Sequence, residues 1–205
     1  MRSEGPPIVC IIGRKDAGKT ELIVALGAEL NRRGYRVMTA KHGHGFQLDR
    51  PGRDSWRHRH EGAAVRTVLA SPSDFAVVGN WPKGEMPLSE LVARFLWDAD
   101  IVLAEGFKSA PEPKIEVFRD APGANPFFDP GSDRASGTAS RATSGTASRT
   151  TSGTASRTTS GTLALVTDRP GMDVPIPLFD LGDPDYLTDL ADLLEDRFLK
   201  SRGAP

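Results

Sequence analysis

Gly13-Arg14-Lys15-Asp16-Ala17-Gly18-Lys19-Thr20 is the stretch whose reading decides the fold. It fits the pattern G-x-x-x-x-G-K-[ST], a loop whose backbone N–H groups curl around phosphate. The flanks agree with that reading. Ile8-Val9-Cys10-Ile11-Ile12 is an apolar, β-branched run of the kind a strand buried on both faces requires. From Glu21 to Arg33, leucines at 22, 26 and 30 draw one stripe of a helix, and Gly34 supplies its stop. Strand, glycine loop, helix is the order this chemistry needs. Lys19 is then expected to reach the terminal phosphates and the Thr20 hydroxyl to ligate Mg²⁺, with Arg14, Lys15, Asp16 and Ala17 completing the cradle.

The rest of the chain supports an α/β fold of the P-loop NTPase class, a mainly parallel sheet flanked by helices. Strands are expected at 35–40, 64–69, 75–78, 100–104, 114–118, 163–167 and 176–179. Helices are expected over 55–61, capped by Asp54 or Ser55, over 88–97, and after Asp183, which caps a final helix with Pro184 at its first position. Between the sixth and seventh of these strands, counting the first, the composition changes. Residues 120–162 hold almost nothing that can pack, and Ser-Gly-Thr-Ala-Ser-Arg-x-Thr repeats from Ser136, Ser144 and Ser152. Such a segment cannot offset the entropy of ordering itself and reads as a disordered insertion; a basic tether is the functional alternative. Apolar strands on both sides argue for one domain over 1–205 carrying a long loop.

Composition narrows the function classes. The chain has 205 residues and a net charge of −1, so no global field attracts it to nucleic acid or anionic membrane. No apolar run approaches the ~20 residues that span a bilayer. The amino end lacks the apolar segment of a secretory signal. The single cysteine, Cys10, lies in a strand and reads as a small buried hydrophobe. A cytoplasmic protein is expected.

Glu105-Gly106 stands at the carboxyl end of the strand over 100–104. That is where an acid can hold Mg²⁺, directly or through water, beside the phosphate loop; the plain alternative is a solvent-exposed loop glutamate. Asp168 ends the strand over 163–167. A carboxylate there can accept the N1–H and N2–H₂ donors of guanine, which adenine lacks; an ordinary turn aspartate is the alternative. Lys41, His42 and His44 follow the second strand and read as lining a polar or anionic pocket, while His58 and His60 read as surface residues. Paired histidines can also bind a transition metal, but no cysteine or acidic cluster completes such a site. Trp97 is expected in the core or at an interface.

The phosphate loop, then Lys41-His42-Gly43-His44, Pro51-Gly52-Arg53-Asp54-Ser55, Glu61-Gly62-Ala63 and Glu105-Gly106-Phe107-Lys108, with Lys114-Ile115-Glu116 downstream, resemble the MobB family. These are molybdopterin-guanine dinucleotide biosynthesis adaptor proteins. The resemblance covers residues 7–119 strongly and 163–200 weakly. It implies GTP and Mg²⁺ as ligands, weak GTPase activity and a homodimer. It also implies a partner enzyme, the guanylyltransferase that joins GMP to molybdopterin, with molybdopterin as a further ligand. Position by position it carries over Gly13, Gly18, Lys19 and Thr20 for nucleotide, Lys41, His42 and His44 for the histidine motif, and Glu105, Gly106, Phe107 and Lys108. Family members often have a histidine where this chain has Gly45, and the repeat has no family counterpart. The competing readings are a small-molecule kinase with Glu105 or His42 as base, and a nucleotide-binding module without catalysis.

Overall fold

The computed structural model describes residues 5–43, 45, 49–81, 83–128, 161–169 and 171–200. Of the segment expected to be disordered, 120–162, residues 129–160 lie outside the described residues, as does His44; its first part does pack, with Phe128 4% exposed and the Phe127 and Phe128 N–H groups donating to Glu116. The chain divides into two compact units, one built from residues 1–42 and 91–205, the other from residues 43–90.

The first unit is a six-stranded sheet in the order β2-β5-β1-β6-β7-β8, parallel at every pairing. Its strands are β1 (Ile8–Gly13), β2 (Val37–Lys41), β5 (Ile101–Glu105), β6 (Lys114–Phe118), β7 (Thr162–Thr167) and β8 (Leu178–Asp180). β1 sits between β5 and β6, so the loop that leaves it emerges at the switch point of the sheet, where ligands of parallel sheets collect. β7 pairs with β6, so both sides of the repeat segment feed one sheet.

Period-two alternation places Val9, Ile11, Ile101, Leu103, Ile115, Val117, Ala164 and Val166 on one face. There they pack with Leu22, Ile23, Leu26 and Leu30 of α1 (Lys19–Arg32) and with Leu190, Ala191 and Leu194 of α4 (Tyr186–Leu194). Cys10, Ile12, Val102, Ala104 and Leu165 point the other way and are buried too. Burial pushes the Cys10 thiol up to about 12, as expected of an inert buried hydrophobe, and the nearby Glu112 charge adds to the rise. A π-helical turn, Glu195–Leu199, continues α4.

Several boundaries shift for identifiable reasons. β2 begins at Val37, two residues late, because Gly34 and Tyr35 close α1: Gly34 N–H donates to Asn31 O and Tyr35 N–H to Leu30 O, a Schellman arrangement with Gly34 at φ 95°. Arg33 then ties that end of α1 to the carboxyl end of the chain. Its guanidinium meets Glu29 at 2.7 Å, Asp192 at 2.5 Å and Glu195 at 2.9 Å. α4 starts at Tyr186 with Asp185 at its N-cap, not at Pro184. Asp183 instead folds the preceding turn, its side chain accepting the Asp185 N–H.

The second unit holds α2 (Asp54–His60) and an antiparallel hairpin of β3 (Arg66–Ala70) and β4 (Phe75–Gly79). Neither Asp54 nor Ser55 caps α2. Arg53 is its N-cap, and the Ser55 hydroxyl donates to Asp49. Ser71 closes the hairpin turn, its hydroxyl oxygen accepting the Asp74 N–H. The hairpin is a separate sheet and mostly exposed, with Phe75 77% exposed and Val68 64%. α3 (Leu88–Phe95) carries the chain back toward β5 and ends before Trp97, which is 69% exposed and not in the core.

Candidate functional site

The loop leaves β1 through a backbone contact only glycine permits. A Cβ on Gly13 would stand 2.4 Å from the Val117 carbonyl oxygen of β6. Asp16 and Gly18 then take positive φ values of 60° and 94°, turning the chain inward before α1 begins at Lys19. The result is a cavity of about 510 Å³ lined by Lys15, Asp16, Gly18, Lys19, Thr20 and Glu21 of the loop and first helical turn, with Lys41, Glu105 and Arg119 closing it. Four cations line this space at the amino end of a helix, a setting suited to a polyanion.

Each strand end contributes one group. Glu105, at the end of β5, places a carboxylate oxygen 3.0 Å from the Thr20 hydroxyl, which donates to it, and 3.1 Å from the Lys41 ammonium at the end of β2. The register that pairs Lys41 with Glu105 explains the encounter. Gly106 follows with φ 94°, and its N–H donates to Ile11 O, carrying the β1–β5 ladder one residue past Glu105. Lys19 folds back across the loop, its ammonium donating to Arg14 O at 2.7 Å. Ala17 is buried, and its carbonyl accepts from the Arg119 guanidinium at 3.1 Å.

A second layer lies behind the loop. Glu116 of β6 is 2% exposed and accepts the backbone N–H groups of Phe127 and Phe128 at 2.6 and 2.8 Å. Burial raises its carboxyl above the usual range, although both N–H donors oppose the shift. The Phe127 ring so anchored lies under the Lys108 ammonium at 4.3 Å and the Arg14 guanidinium at 5.5 Å. Lys108 is held below the ordinary lysine range, first by desolvation and then by the charges of Lys19 and Arg14. Lys108 and the loop therefore share one electrostatic neighbourhood.

The sequence-derived residues are not all brought together. Lys41, Glu105, Lys19 and Thr20 converge. His42 does not line the cavity; its ring packs against Phe107 with centroids 5.3 Å apart. Asp168 does not line it either. Its Oδ1 accepts the Asp120 N–H at 2.8 Å and its Oδ2 lies 3.3 Å from the Arg119 guanidinium, so it meets the cavity through Arg119. The Asp120 N–H is the largest influence lowering the Asp168 carboxyl, and Arg119 adds to it. Arg119 itself was missed. The signal was present, because it directly follows β6 just as Asp168 follows β7.

The donors fit a magnesium nucleotide. Among the described residues no three His, Cys, Asp or Glu side chains gather to hold a metal unaided. Thr20 and Glu105 offer two hard oxygens beside a phosphate cradle, which suits an ion that takes its remaining ligands from phosphate and water. The cavity that would take the phosphates is lined by Lys15, Gly18 and Lys19 of the loop, with Thr20 and Glu105 at its side.

Known proteins share this fold and much of this sequence. Among solved structures, a MobB protein homolog from Bacillus stearothermophilus superposes with a TM-score of 0.59 at 22% identity, covering 93% of this chain and 99% of that one. Bacillus subtilis MobB gives 0.56 at 18%, covering 91% and 97%. At such identities the likeness carries the fold. The molybdopterin-guanine dinucleotide biosynthesis adapter protein of Haemophilus influenzae is 38% identical over 115 residues, 55% of this chain and 64% of that protein, so the match spans just under two thirds of that relative. The Escherichia coli adapter protein of the same description is 36% identical over 123 residues, 58% of this chain and 70% of that protein. The family model for molybdopterin guanine dinucleotide synthesis protein B matches residues 8–136, from the first residue of β1 through the loop, the Glu105 strand and the Glu116 strand, and on that extent the chain belongs to the MobB family.

Proposed function

We propose that the chain is a GTP-binding adapter in the synthesis of the guanine dinucleotide form of the molybdenum cofactor. In this reading it assists the guanylyltransferase that joins GMP to molybdopterin. The observation that carries it is the curled loop from Gly13 to Thr20, with Lys19 within it and the Thr20–Glu105 pair beside it. Loop amides and Lys19 would grip the phosphates. Thr20 and Glu105 would hold Mg²⁺, which when bound supplies positive charge between phosphate oxygens. Lys19 must release Arg14 O to reach a phosphate, and Lys15, Lys41, Lys108 and Arg119 supply further charge.

Hydrolysis in this site is slow. Among the described residues lining the cavity there is no glutamine or histidine to orient an attacking water, which supports this reading. The kinase alternative is less well supported, because the Glu105 carboxylate already accepts from Thr20 and pairs with Lys41. Guanine selectivity through Asp168, a homodimer, and binding of molybdopterin belong to the same proposal.

The test is calorimetric titration with GTP and with ATP, with and without Mg²⁺. Lys19→Ala removes a charged hydrogen bond worth about 1.5–3 kcal/mol, a 10- to 150-fold loss of affinity. Equal affinity in the variant would remove the basis of the proposal.

A further inference from the structure

β6 carries two charged residues, and the nucleotide site as described makes direct use of neither. Lys114 and Glu116 are each 2% exposed. They stand two positions apart, so both face the side of the sheet opposite Ile115 and Val117. A buried charge is costly unless it is well partnered, and here each finds its partners in backbone of a different loop.

Lys114 gathers the loop between β5 and β6. Its ammonium donates to Ala110 O at 2.6 Å and to Glu112 O at 3.0 Å, filling two of its three donor positions. Phe107 in that loop sits at φ 33°, a strained conformation that persists only where the surroundings hold it. The Ala110 N–H donates to Phe107 O while the Ala110 carbonyl meets Lys114, so the ammonium anchors the turn on which Lys108 rides. Glu116 gathers the segment after β6 through the Phe127 and Phe128 N–H groups. Phe128 is thereby buried and Phe127 half-buried.

The two loops meet at the Phe127 ring, which holds the Lys108 ammonium 4.3 Å from its centroid. Arg14 shares the ring and also donates to Asn125 O at 3.3 Å, tying the phosphate loop to the segment Glu116 holds. The Lys19 ammonium rests on Arg14 O, so Arg14 marks the end of the cradle that Lys19 serves. Lys108, Arg14 and Lys19 thus lie on neutral partners, two carbonyls and a π-face. A cation over a ring is held more weakly than one hydrogen-bonded to a charged oxygen, so an arriving phosphate draws the ammonium away.

We propose that Lys114 and Glu116 are positioning residues: by stapling these two loops they seat Lys108 on the Phe127 ring, from which it passes to the terminal phosphate of the nucleotide. The inference rests on the nucleotide reading and adds to it a means of telling a triphosphate from a diphosphate.

The experiment titrates the full chain with Mg-GTP and with Mg-GDP by calorimetry. Lys108→Ala should weaken GTP at least about tenfold and leave GDP nearly unchanged. Glu116→Gln, Lys114→Met and Phe127→Leu should each weaken GTP by about three- to tenfold, and that loss should vanish in the Lys108→Ala background, where the cation they position is gone. A merely structural role would weaken both nucleotides and would persist in the double variants. In the empty protein, carbon spectra of methylated lysines should show Lys108 displaced upfield by the ring, and restored in Phe127→Leu and Glu116→Gln. Phe127 is accessible enough that its variant tests the claim even if a β6 variant does not fold. No GTP binding by wild type overturns the nucleotide reading, and this inference with it. GTP binding by wild type with equal losses for GDP, losses that persist without Lys108, or an undisplaced Lys108 signal overturns the positioning claim alone.

Discussion

Adding one methyl group at Gly13 should both loosen the sheet and blunt nucleotide binding. The new Cβ would lie 2.4 Å from Val117 O, whereas such contacts essentially never fall under 3.0 Å, so the two backbones must part by at least 0.6 Å (3.0 − 2.4). The oxygen belongs to β6, which is held by β1 on one side and β7 on the other, so it has little room to withdraw. Overpacking costs about 1–3 kcal/mol and a lost sheet hydrogen bond about 1 kcal/mol. Gly13→Ala should therefore lose about 2–4 kcal/mol, a fall of roughly 4–16 °C in Tm for a chain of this size. The same shift moves the first loop amides out of hydrogen-bond range, so GTP affinity should drop at least about tenfold. Gly27, within α1, is the internal control: a Cβ there meets its nearest neighbour at an ordinary 3.9 Å. Gly27→Ala should raise stability by about 0.5–1 kcal/mol through helix propensity. Thermal melts and calorimetry on both variants read the result. A Gly13→Ala protein melting within 2 °C of wild type and binding GTP normally would refute the close approach.

Other perturbations probe the surrounding groups. Glu116 has a raised carboxyl in the fold, so its ionisation opposes folding, and stability should fall as pH rises from 4.5 through its folded value. In Glu116→Gln, denaturant titrations across that window should show a flatter profile. Asp168 has the opposite sign: its contribution is present above 3.8 and lost as pH falls through its lowered folded value. Asp168→Asn should abolish any preference for GTP over ATP in competition binding; a preference that survives would remove this residue from base recognition. Arg33→Met leaves Glu29, Asp192 and Glu195 without their shared cation, and should cost about 2–3 kcal/mol by urea denaturation after allowance for the partial exposure of Asp192.

Local pattern made β1, the loop and α1 legible, because an apolar run, fixed glycines and a leucine stripe are short-range signals. Glu105 and Lys41 were legible as strand-end residues, and their meeting at Thr20 follows from parallel register. Pattern could not show that β3 and β4 pair only with each other, since apolar content says nothing about which sheet a strand joins. Of the core or interface expected for Trp97, its exposure removes the core, because α3 ends at Phe95, before it. Arg119 escaped notice although it occupies the same strand-end position as Asp168. Its role depends on reaching Ala17 O, a contact across more than 100 residues of chain. The Glu116 clamp was equally hidden, since buried carboxylates break the expected alternation and are justified only by the Phe127 and Phe128 amides that meet them.

The position of β7 in the sheet has a consequence for synthesis. β6 is complete at Phe118, but the strand that covers its outer edge ends at Thr167. At ordinary translation speeds a ribosome takes about 2–10 s to make the intervening chain. Throughout that interval the nascent protein carries a bare, apolar strand edge, the usual template for unwanted pairing between chains. Lys114 and Glu116 are the two charged residues of that strand, and both become buried in the finished sheet. Inward-pointing charges are a known safeguard on such edges, so Lys114 and Glu116, whose side chains later meet Ala110 O and Glu112 O and the Phe127 and Phe128 amides, are placed to guard the half-made protein.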